Sequence, residues 1–238
     1  MRNLKRKCLH FTVVALLCSA STVFAGQTVT MDLTSAGNNV LGGVYVGPYY
    51  ATIYDGTSTV STQVICDDWM HDSVVPETWT ANVTSLDPLG SGVRWGGTTV
   101  GSATLTAQQE YDAVAWLVTQ MLNPTACKNS SGDCVGDISY AIWELTDPTD
   151  PKGTAFANLT AYGLTTDLAN AQNWLNLAVQ NDSGNFSGFQ IFTPQSGGNP
   201  QEFITVPESS APVLLGADLL GLAALIFLFR RRMVRTQS

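Results

Sequence analysis

Two apolar segments near the ends of the 238-residue chain restrict the part that can fold as a compact domain. The first 25 residues combine a basic start, an apolar run over 11–17 and a close on small residues at 23–25. This three-part pattern is typical of a secretory signal peptide that is cleaved after Ala25. The short apolar run argues against the alternative, an uncleaved membrane anchor. The sequence therefore predicts export of a mature chain that starts at Gly26.

The second apolar segment covers residues 213–229 and is followed by Arg230, Arg231 and Arg232. Its 17 residues, at about 1.5 Å each, would form a helix at the lower limit of what crosses a bilayer. The arginines would stay on the cytoplasmic side under the positive-inside rule. We therefore expect residues 213–229 to anchor the chain in a membrane, either transiently or permanently.

A short motif of Val206, Pro207 and Glu208 precedes this span. The motif, the span rich in Leu, Gly and Ala, and the terminal arginines together resemble the PEP-CTERM sorting signal of Gram-negative bacteria. The resemblance implies that residues 208–238 are a sorting tail, which an exosortase-type membrane enzyme cleaves as the protein reaches the cell surface or extracellular matrix. The chain departs from the family pattern at Ser209, where a second proline is usual. An ordinary C-terminal tail anchor is the alternative.

The charge of the segment between these ends excludes one class of partner. Residues 26–207 contain 17 Asp and Glu but only three basic residues, Arg94, Lys128 and Lys152, which gives a net charge of −14. A general nucleic-acid binder needs a basic surface, so the sequence predicts no nucleic-acid partner. The same charge disfavours adhesion to anionic lipid head groups.

Three cysteines remain in the predicted mature body. Cys127 and Cys134 flank a polar, turn-forming loop, and a bridge between them would close a short ring in an oxidising compartment. We therefore predict a Cys127–Cys134 disulfide. Cys66 is then the odd cysteine, which is buried and inert, paired between molecules, or reactive.

The order of periodic segments predicts the fold class of residues 26–207. Strand patterns, most regular over 27–33, occur at 27–33, 43–54, 59–65 and 79–84, with Gly47-Pro48 breaking the second and Asp55-Gly56 as a hairpin turn. Helical spacing follows at 107–122, at 138–145 and from about Thr166, the predicted N-cap, to Ala178. Strand patterns return at 187–193 and 202–206. Strands, a helical insertion and more strands predict an α+β domain on a β-sandwich or barrel-like base.

Two further segments resemble a known family together. Cys66 ends a strand, and the later segments 111–117 and 138–145 carry Tyr-Asp-Ala-Val-Ala-Trp-Leu and Ile-Ser-Tyr-Ala-Ile-Trp-Glu-Leu. This layout is similar to thioester-domain adhesins. In that family a cysteine thiol and a glutamine side chain condense to an internal thioester that captures a nucleophile on a partner. Cys66 matches the cysteine and Trp143 matches the tryptophan of the later helix, but Ser139 stands where the resemblance requires the glutamine, four residues before that tryptophan.

A serine has no carboxamide to acylate a thiol, so the resemblance implies the fold without the thioester. We predict that Cys66 packs as a small buried hydrophobe. A covalent adhesin that uses Cys66 with an unrecognised amide partner stays an alternative.

Signals for catalysis or for a metal centre are weak. His71 is the only histidine of residues 26–207, and no nucleophile motif accompanies it. Asp67, Asp68 and Asp72 could ligate calcium, although the spacing favours a solvated acidic turn. Among the tryptophans, Trp95 in the Gly-rich stretch 90–97 is the best exposed candidate for stacking on a sugar. We therefore predict no cofactor, no metal and no catalytic residue.

The sequence as a whole predicts an exported, non-catalytic structural or adhesive protein of the cell surface or extracellular matrix. Matrix polysaccharide is the candidate partner besides the processing enzyme. A polysaccharide-active enzyme is the remaining alternative, because paired carboxylates for glycoside hydrolysis could be drawn from the 17 acids of the body.

Overall fold

Six antiparallel strands close into a barrel in the computed structural model, which describes residues 26–128, 132–149, 153–195 and 200–205. Around the barrel the order is β1, β4, β5, β10, β9 and β6, and β6 closes it by pairing with both β9 and β1. The six strands are β1 (Thr28–Ser35), β4 (Tyr49–Tyr54), β5 (Thr59–Cys66), β6 (Glu77–Ser85), β9 (Gln190–Pro194) and β10 (Phe203–Thr205). The sequence predicted either a β-sandwich or a barrel as the base of the domain, and the structure has the barrel.

Four short strands form two hairpins outside the barrel. They are β2 (Val40–Leu41) with β3 (Val44–Tyr45), and β7 (Thr99–Val100) with β8 (Ala103–Thr104). The predicted break at Gly47-Pro48 is confirmed, since β3 ends at Tyr45, the backbone turns at Gly47 with a φ of 88°, and β4 begins at Tyr49. The chain therefore enters the barrel at Tyr49 and not at Gly43.

Side-chain alternation in the strands builds the barrel interior. In β1, Val29, Met31 and Leu33 are buried, whereas Thr28 and Thr30 are exposed. Because successive residues of a strand point to opposite faces, one face fills the core and the other carries hydroxyl groups. This period-2 pattern is the signal that predicted the strands from the sequence.

Four helices lie between β8 and β9 in the sequence, as the predicted helical insertion requires. They are α1 (Ala107–Leu122), α2 (Cys134–Thr146), α3 (Ala155–Ala161) and α4 (Thr165–Val179). The bounds predicted for α1 are confirmed. Thr106 and Gln109 form a reciprocal capping box at its start, which satisfies main-chain donors that an uncapped helix would leave unpaired.

The other helices differ from the prediction at their starts. α2 begins at Cys134 and not at Ile138, because the Asp133 side chain accepts a hydrogen bond from Gly136 N and caps the helix one turn earlier. Helix α3, which the Thr154 side chain caps, was not predicted from the sequence. α4 begins at Thr165 without a side-chain cap, so Thr166 is not its N-cap.

A disulfide joins Cys127, which follows α1, to Cys134, the first residue of α2. Their Cα atoms are 5.6 Å apart, within the range that a bridge requires. The predicted pair is therefore the pair that the structure joins.

Three sequence predictions lie outside the described residues: the signal peptide 1–25, the motif Val206-Pro207-Glu208, and the span 213–229 with Arg230, Arg231 and Arg232. They stay predictions. Within the described part of the chain, no helix has the length and apolar character needed to cross a bilayer.

Candidate ligand-binding cleft

A cleft of about 690 Å³ opens where the β2–β3 hairpin, the segment after β5 and helices α2 and α3 come together. Its volume falls within the about 300–1,000 Å³ that ligand pockets occupy. The lining residues are Thr34, Ser35, Ala36, Gly37, Gly43, Val44, Tyr45, Tyr49, Trp69, His71, Asp72, Ser73, Val75, Trp143, Asn158 and Gln201.

Aromatic rings form one part of the lining. The half-buried Trp69 packs on Trp143, with ring centroids 5.2 Å apart, and its Nε1 donates to the carbonyl oxygen of Gly153 at 2.9 Å. Tyr45 is 52% exposed, and the hydroxyl of Tyr49 donates to its carbonyl oxygen at 3.0 Å. Among the aromatic rings of the lining, Trp69 and Tyr45 are therefore the ones exposed enough to contact a ligand.

The segment that carries Trp69 is held by carboxylates at both sides. Asp147, the C-cap of α2, accepts hydrogen bonds from the main-chain N–H groups of Trp69 and Met70, each at 3.0 Å. Asp68 accepts from the main-chain N–H of His71 at 3.1 Å. Charged acceptors make stronger hydrogen bonds than neutral ones, so this loop is fixed before any ligand arrives.

Polar side chains complete the lining. Gln201 donates from Nε2 to the carbonyl oxygen of Asp68 at 2.8 Å, and its main-chain N–H donates to the Ser73 hydroxyl at 3.0 Å. Asn158 accepts from the Tyr140 hydroxyl at 2.5 Å. Amide and hydroxyl groups thus lie beside the aromatic rings in positions that the fold determines.

A buried acidic network lies behind this loop. Asp68 accepts hydrogen bonds from the guanidinium of Arg94 and from Glu202 N, the latter at 3.0 Å. Glu202 accepts from Arg94 N at 3.0 Å and from the hydroxyls of Tyr111 and Thr193. Arg94 therefore ties its Gly-rich loop to both carboxylates.

Asp67 is the exception in this network. It is fully buried, and its carboxylate has no hydrogen-bond partner among the described residues. Burial, with the nearby charge of Glu202, raises the pKa of Asp67 well above its usual value. Burial also raises the pKa of Glu202, and it raises that of Glu110, beside the same loop, to about 8. Each of these acids therefore keeps its proton to a higher pH than a solvated carboxyl group does.

The structure corrects the prediction that Asp67, Asp68 and Asp72 form a solvated acidic turn. Asp67 and Asp68 are fully buried, and only Asp72 is exposed. The reason is Arg94, which reaches Asp68 from a distant segment and compensates its charge. Across the residues that the structure describes, no group of three or more His, Cys, Asp or Glu side chains is arranged to hold a metal ion.

Cys66 is buried at the end of β5, where it pairs with Phe203 of β10. Its thiol donates to the carbonyl oxygen of Asp68 at 3.3 Å. Burial, and then the negative charge of Asp68, raise the pKa of the Cys66 thiol well above its usual value. Because the thiolate is the nucleophile, this environment makes the sulfur unreactive.

Ser139 makes contacts of its own. Its hydroxyl accepts a hydrogen bond from Gly47 N at 2.9 Å and donates to the Val135 carbonyl oxygen at 3.1 Å. Trp143, one turn further along α2, does reach Cys66: its Nε1 donates to the Cys66 carbonyl oxygen at 3.1 Å. The structure thus brings together the cysteine and the tryptophan of the resemblance, while a serine bonded to main-chain groups stands in place of the glutamine.

Most residues that line the cleft, including Trp69 and Tyr45, were not predicted from the sequence. Trp95, the predicted sugar platform, is half-buried and does not line it, because its loop is held by the hydrogen bond from Trp95 N to the Tyr111 hydroxyl at 3.2 Å. Trp69 lines it instead. No local pattern in the sequence marks Trp69 or Tyr45 as cleft residues, because the cleft is lined by segments that meet only in the folded chain.

Comparisons with known proteins give two structural likenesses. The N-terminal thioester domain of the fibronectin-binding protein SfbI from Streptococcus pyogenes has a TM-score of 0.45 at 7% identity, over 74% of this chain and 91% of that domain. The N-terminal domain of the S. pyogenes pilus tip adhesin Cpa has a TM-score of 0.39 at 16% identity, over 78% and 95%. No protein-family model and no curated protein matches the chain.

Proposed function

We propose that this chain is an exported, non-catalytic adhesive protein of the cell surface or extracellular matrix, which holds matrix polysaccharide in the cleft without a covalent bond. The observation that carries the proposal is the lining of the cleft, where the rings of Trp69 and Tyr45 lie beside the polar groups of Asn158, Gln201 and Ser73.

This combination matches the chemistry of a sugar. A pyranose ring has an apolar C–H face that packs on an aromatic ring, and hydroxyls that need hydrogen-bond partners at its edge. Trp69 is fixed by its ring contacts and by two neighbouring main-chain bonds to Asp147. A platform that is rigid before binding loses little side-chain entropy when the ligand arrives.

The same lining favours binding over catalysis. Glycoside hydrolysis uses two carboxyl groups that flank the scissile bond. Among the described lining residues, Asp72 is the one carboxylate. The buried carboxyls of Asp67 and Glu202 are not among the lining residues, so they do not supply the second group.

The burial of Cys66 supports non-covalent attachment. Its protonated thiol bonds to a main-chain oxygen, and Ser139 supplies no carboxamide to acylate it. We expect the full-length protein to gain no mass when it is incubated with methylamine. A methylamine adduct that disappears in Cys66→Ala would replace this proposal with the covalent adhesin.

Export and sorting remain part of the proposal. The Cys127–Cys134 disulfide suits an oxidising compartment. The intact mass of the protein from its native envelope and medium tests the rest: a chain from Gly26 to about Pro207 is expected if an exosortase-type enzyme removes residues 208–238. A chain that retains Ser238 would instead be permanently anchored through 213–229.

Polysaccharide binding is tested by co-sedimentation of the full-length protein with insoluble matrix polymers. Trp69→Ala and Tyr45→Ala are expected to reduce the bound fraction. Tyr54→Ala is the matched control, because Tyr54 is 46% exposed and lies on β4 outside the cleft. An equal loss in all three variants, or no binding by the unaltered protein, would overturn the proposal.

A further inference from the structure

We infer that the cleft selects polysaccharide units that carry a free ammonium group, namely deacetylated amino sugars, over N-acetylated units and uronates. This inference rests on the proposed function and concerns the charge of its ligand. It is carried by the identities of the charged groups at the cleft and by the contacts that already occupy them.

The first observation is the charge of the lining. Asp72 is exposed there, and no described lining residue is a lysine or an arginine. His71, the neighbour of Asp72 in sequence, also lines the cleft, and its Nδ1 is 2.9 Å from the Asp68 carboxylate and 3.0 Å from an Arg94 nitrogen. A uronate in the cleft would be repelled by the Asp72 carboxylate. The His71 imidazole offers it little compensation, because Nδ1 already contacts Asp68 and Arg94.

The second observation concerns Arg94, whose guanidinium group already has hydrogen-bond partners inside the protein. Arg94 bonds to the Asp68 carboxylate and to the carbonyl oxygen of Pro200, and its side chain is only 16% exposed. Its charge is compensated by Asp68, so little positive potential reaches the cleft. Lys128, the other basic residue that the structure describes in this body, is exposed and does not line the cleft.

The third observation is the aromatic wall. An ammonium group is attracted to the face of an aromatic ring as well as to a carboxylate. Trp69 and Tyr45 line the same cleft as Asp72. The cleft thus offers aromatic rings for the apolar face of an amino sugar and a carboxylate for its ammonium group. An N-acetylated unit has the apolar face but lacks the charge.

The experiment measures quenching of tryptophan fluorescence in the full-length protein at mildly acidic pH, where the amine of glucosamine is protonated. The probes are β-1,4-linked oligosaccharides of glucosamine and of N-acetylglucosamine, matched in length, and an oligogalacturonate. We expect the glucosamine probe to bind most tightly. Asp72→Asn should weaken its binding about threefold to fivefold, as expected for a partly solvated ion pair.

The control is Asp87→Asn, which removes an exposed carboxylate outside the cleft and leaves the lining unchanged. Equal affinity for the two glucosamine-based probes, or equal effects of the two substitutions, would overturn the charge selection and leave polysaccharide binding in place. The absence of binding by every probe and every matrix polymer would overturn the proposed function itself. Loss of discrimination in Asp72→Asn with full binding in Asp87→Asn supports the inference.

Discussion

The indole nitrogen of Trp143 in α2 donates a 3.1 Å hydrogen bond to the main-chain carbonyl oxygen of Cys66 at the end of β5. This bond connects the helical insertion to the barrel. Trp143 also supports Trp69, whose ring lies 5.2 Å away and lines the cleft. The stability of the barrel–helix junction and the position of the candidate ligand platform therefore depend on the same side chain.

Replacing Trp143 by Phe is expected to lower the free energy of unfolding by about 2–4 kcal/mol, because it leaves a buried carbonyl oxygen without its donor and opens a cavity. Urea denaturation measures the change. Trp174→Phe is the control, since Trp174 is half-buried and pairs with Trp116 away from the cleft. Equal losses in both variants would contradict a special role for the Trp143–Cys66 bond.

Replacing Arg94 by Met is expected to cost about 3–5 kcal/mol of stability, because Asp68 would be left buried without a compensating charge. Adding Asp68→Asn to Arg94→Met should recover part of this loss by removing the uncompensated carboxylate. Lys128→Met, a change at an exposed site, should alter stability by no more than about 0.5 kcal/mol. A loss for Arg94→Met as small as that for Lys128→Met would refute the buried-pair account.

Stability is expected to fall as the pH rises from about 4 to 8. Burial raises the pKa of Glu110 from 4.5 to about 8, so between these values the folded chain binds a proton that the unfolded chain has lost. The stabilisation from this proton is complete below the unfolded pKa and disappears as the pH passes the folded pKa. Each such acid contributes a slope of about 1.4 kcal/mol per pH unit.

Glu110→Gln isolates that contribution, because the amide oxygen can still accept the hydrogen bond from Gly97 N. Thermal unfolding of the variant across the same pH range should show a shallower decline. The raised pKa values of Asp67 and Glu202 act in the same direction and should leave a residual slope. A variant whose pH profile is parallel to that of the unaltered protein would show that Glu110 is ionised in the folded state.

Reduction of the Cys127–Cys134 disulfide is expected to cost about 2.5 kcal/mol, the loop-closure value for a ring of eight residues. Denaturation with and without reductant measures this loss, and the intact mass should rise by two hydrogens on reduction. Cys66→Ala should leave the effect of the reductant unchanged, since Cys66 is the free cysteine of the described body. If the effect of the reductant disappears in Cys66→Ala, the disulfide involves Cys66 and the Cys127–Cys134 pairing is wrong.

Local sequence patterns predicted the elements whose signals are local. Alternating residues and the Asp55-Gly56 turn predicted β4 and β5, where Asp55 accepts hydrogen bonds from the main-chain N–H groups of Thr57 and Ser58. The bounds of α1 followed from one apolar face over 107–122. The start of α2 did not, because it carries Gly136 and the buried, polar Asp137, which break the apolar pattern.

By itself, the sequence determined the charge of the body, the odd status of Cys66, the Cys127–Cys134 pair and the order of the six barrel strands and of α1, α2 and α4. Only the tertiary structure decided that the base is a closed barrel, that Asp68 is buried against Arg94, and that Trp69 and Tyr45 line one cleft. The contacts that decide these features join distant residues, as when the main-chain N–H of Glu202 donates to the Asp68 carboxylate across 134 positions of sequence. Periodicity reports only the local preference of each segment, so contacts at such separations become visible when the chain has packed.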